Sequence, residues 1–198
     1  MAEWHPHLGR EAPDYALVKN RVAQVIAENS IIAPPIKPRP IAIAYGLRVL
    51  FAGFPESIEN ISGLYDVRTN EIIVNREDPA SRQTFTIAHE LGHFLLHKEL
   101  YERYPEDYRV LSRAPIRASK DPLEQEANAF AAHLLVPRKF LDQYRDIADS
   151  RELSRLFIVS EEVIRYRLQL EYGIDATAAD ACQRCIAAIT GFRSVSLF

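Results

Sequence analysis

The chain has 198 residues, 24 Lys and Arg against 27 Asp and Glu, a formal net charge of -3 and a hydrophobic share of 47%, enough for one core with a small appended lobe. That balance supplies no global positive field to hold nucleic acid. Its two cysteines, Cys182 and Cys185, are too few for a disulfide-dense secreted scaffold, and no run of eighteen apolar residues or basic-then-apolar leader occurs, so a reducing compartment is expected, the cytoplasm by default, with neither export nor a membrane span.

Residues 14–29 place Leu17, Val18, Val22, Val25 and Ile26 at helical spacing behind Asp14, a side chain suited to cap the helix. Pro34, Pro35, Pro38 and Pro40 then read as a stiff loop leading into a short helix over Ile41 to Tyr45, which Gly46 can end. Strand-like alternation follows over 47–52, 61–67 and 71–75, with a short turn at 68–70. These stretches predict a small, mainly antiparallel sheet whose last hairpin leads directly into the next helix, with Ile72 to Asn75 as an edge against which an extended peptide could lie. Tyr65 and Asn75 become candidates for substrate or transition-state contacts through this proximity, beside cross-strand packing as the plainer role.

Asp78-Pro79 marks a helix start, and the helix is expected to run to about Leu100. Within it lies His89-Glu90-Leu91-Gly92-His93. Residues four apart share a helix face, so His89 and His93 can present two imidazoles to one metal ion while Glu90 sits beside it as a general base. This is the layout of a zinc hydrolase, and Phe85, Ala88, Phe94, Leu95 and Leu96 around it predict a buried or half-buried helix. Residues 101–120, rich in Tyr, Arg and Pro, lack a sustained period and read as a long loop.

A catalytic zinc needs a third protein ligand. His97 continues the ladder but has rotated about 80° from His89 on a helix of 3.6 residues per turn, which leaves it outside the ligand set as a packing or supporting residue. The metzincin arrangement would need glycine where this chain has Leu96 and histidine where it has Glu99. A second helix, from Asp121-Pro122 to just before Pro137, offers Glu124 and Glu126 on opposite sides of an apolar stripe of Leu123, Ala127, Phe130 and Leu134. Glu124 falls at the third helical position, where a carboxylate can close a capping box with Asp121. Glu126 has no such local task and is the expected ligand.

These segments, His89 to His97 followed by Glu124-x-Glu-Ala-Asn-x-Phe-Ala-Ala-x-Leu-Leu-Val-Pro137, resemble the ImmA/IrrE family of intracellular zinc metallopeptidases over about residues 46–173. The resemblance implies a zincin-like α+β core with a thermolysin-like ligand set, carried over as His89, His93 and Glu126 with Glu90 as the base. It also implies a protein substrate such as a helix-turn-helix repressor, and a setting among toxin-antitoxin or mobile-element genes. Zn2+ is the expected cofactor, and His133 or Tyr65 a candidate second donor to an oxyanion. The alternative is a non-catalytic module that sequesters a regulatory partner around a structural metal site.

Residues 151–170 resemble a helix-turn-helix with Ser160 as a cap, but Glu161 and Glu162 occupy the turn that would face a groove, against Arg165 and Arg167 further along. A packed helical lobe is expected there, not a DNA reader. The expected division is a metallopeptidase domain over 1–145 and a helical lobe over 146–198. Cys182-Gln-Arg-Cys185 has redox-motif spacing without a preceding thioredoxin-like strand and is read as small buried residues of a terminal helix.

Overall fold

The computed structural model describes residues 12–54, 61–103 and 121–174. The expectations for residues 104–120, Cys182 and Cys185 lie outside them. Seven helices and three strands follow in order: α1 (Tyr15–Glu28), α2 (Pro38–Ala44), β1 (Arg48–Ala52), β2 (Gly63–Asp66), β3 (Glu71–Asn75), α3 (Ala80–Arg103), α4 (Pro122–Leu135), α5 (Arg138–Tyr144), α6 (Ser150–Phe157) and α7 (Glu161–Tyr172).

Helix α1 starts where expected, with the Asp14 carboxylate accepting from the Leu17 N–H at 2.9 Å. It buries Val18, Val22 and Val25, and packs on α4. Each such valine contributes on the order of 1.5–3 kcal/mol by leaving water. Helix α2 begins three residues earlier than the proline pattern suggested: Pro38 and Pro40 lie in its first turn, where a missing N–H costs nothing because that donor would have no helical partner. Gly46, at φ +85°, takes the chain out of it.

The sheet order is β1-β3-β2. Strands β2 and β3 form the expected antiparallel hairpin, with Leu64 opposite Ile73 and Tyr65 opposite Ile72. Strand β1 joins the other side of β3 in parallel, Val49 opposite Ile72 and Phe51 opposite Val74. The architecture is α+β as expected, while the sheet is mixed. Strand β3 is therefore central, and the segment from Ile72 to Asn75 is not an edge: both its flanks are already hydrogen-bonded. Ile72 and Val74 are fully buried, as a central strand under helix α3 requires.

Helix α3 runs on to Arg103, three residues past the expected end, and takes Tyr101 into the interior. It lies against β2, β3, α2 and α4 and so forms the axis of the molecule. Helices α6 and α7 complete the core through Leu153, Phe157, Val163, Ile164 and Leu168. Asp149 and Glu152 cap α6 reciprocally, at 2.8 and 3.0 Å, and Ser160 caps α7. Arg167, one of the two arginines on which a duplex contact would depend, is fully buried, and Arg165 pairs with Glu161 at 2.7 Å. No described helix is long and apolar enough to cross a membrane.

One glycine fixes how closely the sheet approaches α3. A Cβ on Gly63 would stand 2.4 Å from Thr86 Cγ2 and 2.7 Å from the Ile73 carbonyl oxygen. Gly63→Ala is expected to destabilise the fold by about 1–3 kcal/mol, as overpacking does. Urea denaturation checks this, and an unchanged midpoint would refute the close approach.

Candidate metal centre

The i and i+4 spacing on α3 does what the sequence requires of it. His89 and His93, both essentially unexposed, turn their Nε2 atoms toward one another at 2.9 Å. The carboxylate that meets them is Glu124. Its Oε2 lies 3.4 Å from His89 Nε2 and its Oε1 3.2 Å from His93 Nε2. Among the described residues this trio is the group gathered tightly enough to hold a metal ion. Two ligands placed ~2.0–2.1 Å from a tetrahedral ion stand roughly 3.3 Å apart, and two imidazoles with one carboxylate are the donor set of a catalytic zinc. The residues fit the ion.

Glu126, expected from the sequence as the third ligand, is placed elsewhere. Two residues along a helix is a rotation of about 200°, so Glu126 and Glu124 leave α4 on opposite sides. Glu126 is fully buried, with Oε2 accepting from His97 Nε2–H at 2.8 Å and Oε1 accepting from the Asp14 backbone N–H at 2.7 Å. The capping argument fails because Asp121 caps α4 by accepting from the Leu123 N–H at 3.0 Å, and the Glu124 carboxylate is turned toward the histidines.

Each histidine is also held from behind. His89 Nδ1–H donates to the side-chain oxygen of Asn128 at 3.0 Å, which puts the proton on Nδ1 and the lone pair on Nε2, the atom that faces His93 and Glu124. His93 Nδ1 lies 2.6 Å from the Tyr101 hydroxyl and 3.1 Å from His97 Nδ1. With His97 Nε2–H engaged by Glu126, His97 Nδ1 can accept from His93, so a continuous path of hydrogen bonds runs from the Asp14 amide through Glu126 and His97 to His93. His97 thus supports a ligand, as its rotation around α3 implied. Asn128 and Tyr101 were missed by the sequence reading; their signal was the helical spacing of four from Glu124 and eight from His93.

Charge in the cluster is set by mutual proximity. Burial works against the Glu124 carboxylate, but His93 and His89 beside it outweigh that and hold its pKa well below the ordinary range. Burial likewise opposes a charge on His93, yet Glu124, with Glu90 and Asp121 behind it, raises its pKa. Glu90, next to His89 on α3, is 1% exposed, so its carboxylate is taken out of water at the same spot.

The remaining candidates have other tasks. Tyr65 is buried with its ring edge-on to Phe94 at 5.8 Å, its hydroxyl donates to Asn70 at 3.3 Å, and burial, then Glu102 and Asp66, pushes its pKa up to about 12. Asn75 closes the turn after β3 by accepting from the Glu77 N–H at 3.1 Å. His133 is nine residues beyond Glu124 on α4, about 13 Å along the helix axis, and its Nε2 accepts from Arg167 at 3.2 Å. It is therefore not a donor to an oxyanion at this centre. Burial, then Arg167 and Lys19, pushes its pKa down to about 3.

The family model described as the IrrE N-terminal-like domain, a peptidase family, matches residues 44–169. Among curated proteins the chain is 30% identical over 107 residues to Metallopeptidase ImmA of Bacillus subtilis (strain 168), covering 52% of this chain and 59% of that protein. It is 33% identical over 82 residues to Uncharacterized immunity region protein 2 of Bacillus phage phi105, covering 41% and 48%. The chain thus spans between about half and three fifths of these relatives' lengths. Among solved structures a Mycobacterium tuberculosis transcriptional regulator superposes with a TM-score of 0.56 at 18% identity, over 78% of this chain and 46% of that one, which is a likeness of fold.

Two predictions follow from the geometry. Glu124→Gln should weaken zinc binding by well over a hundredfold, whereas Glu126→Gln and Asn128→Ala, which touch only the supports of the histidines, should cost about 10–100-fold. Competition with a chelating dye measures this, and the reverse ranking would restore Glu126 as the ligand. For His133 the folded pKa lies below the unfolded value of 6.5, so the unfolded chain binds the extra proton and stability is lost as pH falls from about 6.5 toward about 3. His133→Gln should flatten that part of the stability profile; identical slopes for both proteins would contradict it.

Proposed function

The chain belongs to the IrrE N-terminal-like domain family of peptidases, and from that premise we propose that it is a zinc-dependent endopeptidase acting inside the cell on a regulatory protein, with a helix-turn-helix repressor as the substrate class. The observation that carries this reading is the buried trio of His89, His93 and Glu124 with Glu90 adjoining it on α3. These three residues would hold the zinc, and Glu90 would be the base. When bound, the metal supplies Lewis acidity, which acidifies water and polarises a peptide carbonyl. Glu90 takes the proton from the attacking water and returns it to the departing amine. Asn128 and the path through His97 and Glu126 keep the two imidazoles in the tautomer whose lone pair is on Nε2.

An extended substrate is supported along β2. Among the described residues that strand is paired on one side only, and Gly63 brings it against Thr86, one helical turn before Glu90. Backbone hydrogen bonds to such a strand bind many sequences. The phage relative bears the name of an immunity region protein, and this supports a regulator as the partner class. The reading divides the chain into a metallopeptidase domain over 1–145 and a helical lobe from 146, whose α7 packs against α4.

Glu90→Gln is the discriminating variant. It should retain zinc at wild-type stoichiometry and lose about 10²–10⁴-fold in cleavage rate, read by mass analysis of fragments after co-expression with a helix-turn-helix regulator encoded beside it. If Glu90→Gln inactivates the regulator as well as the parent does and no fragments form, the chain is a sequestering module and not a peptidase.

A further inference from the structure

We propose that a cavity on the far side of α4 from the histidine cluster is a binding site for a small amphipathic anion, a carboxylate or phosphate head on an apolar body. The cavity is open to solvent and has a volume of about 650 Å³, inside the ~300–1,000 Å³ typical of small-molecule sites. It lies between α1, the segment after it, the end of α4, the start of α5, and α7. Its position along α4, about 13 Å from Glu124, separates it from whatever reaction the histidine cluster performs.

The lining has two characters. One wall is apolar, formed by Val22, Ile26, Ile31, Ile32 and Pro137. Ile32 stands at it 86% exposed, a large aliphatic side chain that only a covering body would take out of water. The other side is cationic. Lys19, Arg138, Lys139 and Arg167 face a single carboxylate, Glu171, in a chain that is acidic overall. Lys19, Arg138 and Lys139 are exposed at the rim.

The cationic side is built from the inside. Arg167 is fully buried; its Nε–H donates to the Val136 carbonyl at 3.0 Å, and its Nη1 reaches His133 at 3.2 Å and Glu171 at 2.7 Å. A buried guanidinium is costly unless its partners are fixed, and α4 and α7 fix them. The same Glu171 is approached by Arg138 at 3.7 Å, whose Nε also lies 3.8 Å from Asp142, and Lys139 Nζ donates to the Ile31 carbonyl at 3.1 Å; the four cations still outnumber these two carboxylates, and positive charge is left over at the rim. His133, facing this array, stays neutral because burial and then Arg167 and Lys19 depress its pKa. A bare anion would satisfy the cations and leave the aliphatic wall wet, and a neutral apolar molecule would do the reverse. An amphipathic anion meets both.

The test titrates the full chain by calorimetry with octanoate and hexyl phosphate, using acetate and inorganic phosphate as head-only probes and 1-octanol as a body-only probe. Octanoate, hexyl phosphate or both should bind at least about tenfold more tightly than any head-only or body-only probe, one decade being about 1.4 kcal/mol, and their ranking names the head group. Lys19→Glu with Arg138→Glu should weaken that binding by about tenfold or more with zinc content unchanged. Ala23→Trp, at an exposed position on the same lining, should block it. The proposal is overturned if 1-octanol binds as well as octanoate, if the charge-reversed protein binds unchanged, if the blocked protein does, or if neither amphipathic probe binds at millimolar concentration.

Discussion

A carboxylate held 6% exposed, as Glu124 is, must be met by charge or hydrogen-bond donors, since an isolated buried carboxylate is among the most expensive groups a fold can carry. In this molecule the partners are two imidazoles on a different helix, so the pairing is available only if α4 lies close along α3. Gly92, between the two histidines' turns, makes the approach feasible. A Cβ there would stand 3.0 Å from Phe130 Cδ1 and 3.2 Å from Phe130 Cβ, so the ring of α4 occupies the space that a larger residue on α3 would take. Packing and electrostatics are thus one constraint: the helices come together over Phe130, and the polar groups at their near ends are committed to one another.

That commitment extends outward as a buried polar network. Asn128 and Glu126 on α4, His97 and Tyr101 on α3, and the first amide of the α1 region each close a bond that would otherwise be orphaned in the interior. Networks of this kind rigidify a core when complete and weaken it when partly satisfied. The role of α1 is accordingly more than apolar cover: its valines bury one face of α4, and the backbone at its start completes the shell behind the histidines.

Much of this was legible in the sequence because it is periodic. The i and i+4 histidines, the Asp14, Asp121 and Ser160 caps and the hairpin over 63–75 rest on local spacing, and the structure keeps all of them. The choice between Glu124 and Glu126 was not legible in that way. Nearly every residue of α4 is buried, so no exposed face marks a direction, and which carboxylate meets which histidine depends on the rotation of α4 about its axis, which only its packing against α3 and α1 sets. Tyr101 was hidden for a different reason: it lies in the last turn of α3, within a stretch whose lack of a sustained period reads as loop. The parallel placement of β1 was hidden as well, since strand alternation carries no information about direction. Pro38 and Pro40 misled by one turn, because a proline that stops a helix and one that starts it look alike until the flanking geometry is known.

Helix α4 can finally be viewed as a ruler with marks at both ends. Glu124 belongs to the histidine cluster, Phe130 to the contact with Gly92, and His133 to the array around Arg167, three neighbourhoods held in register by a single rigid rod. Side chains between the marks can be exchanged one at a time, each at its own local cost. A residue inserted or deleted between 124 and 133 is different in kind, because it rotates everything beyond it by about 100° and shifts it by about 1.5 Å. The spacing of α4 is therefore a stricter requirement than its composition, because the number of residues between these marks sets the register of both ends at once.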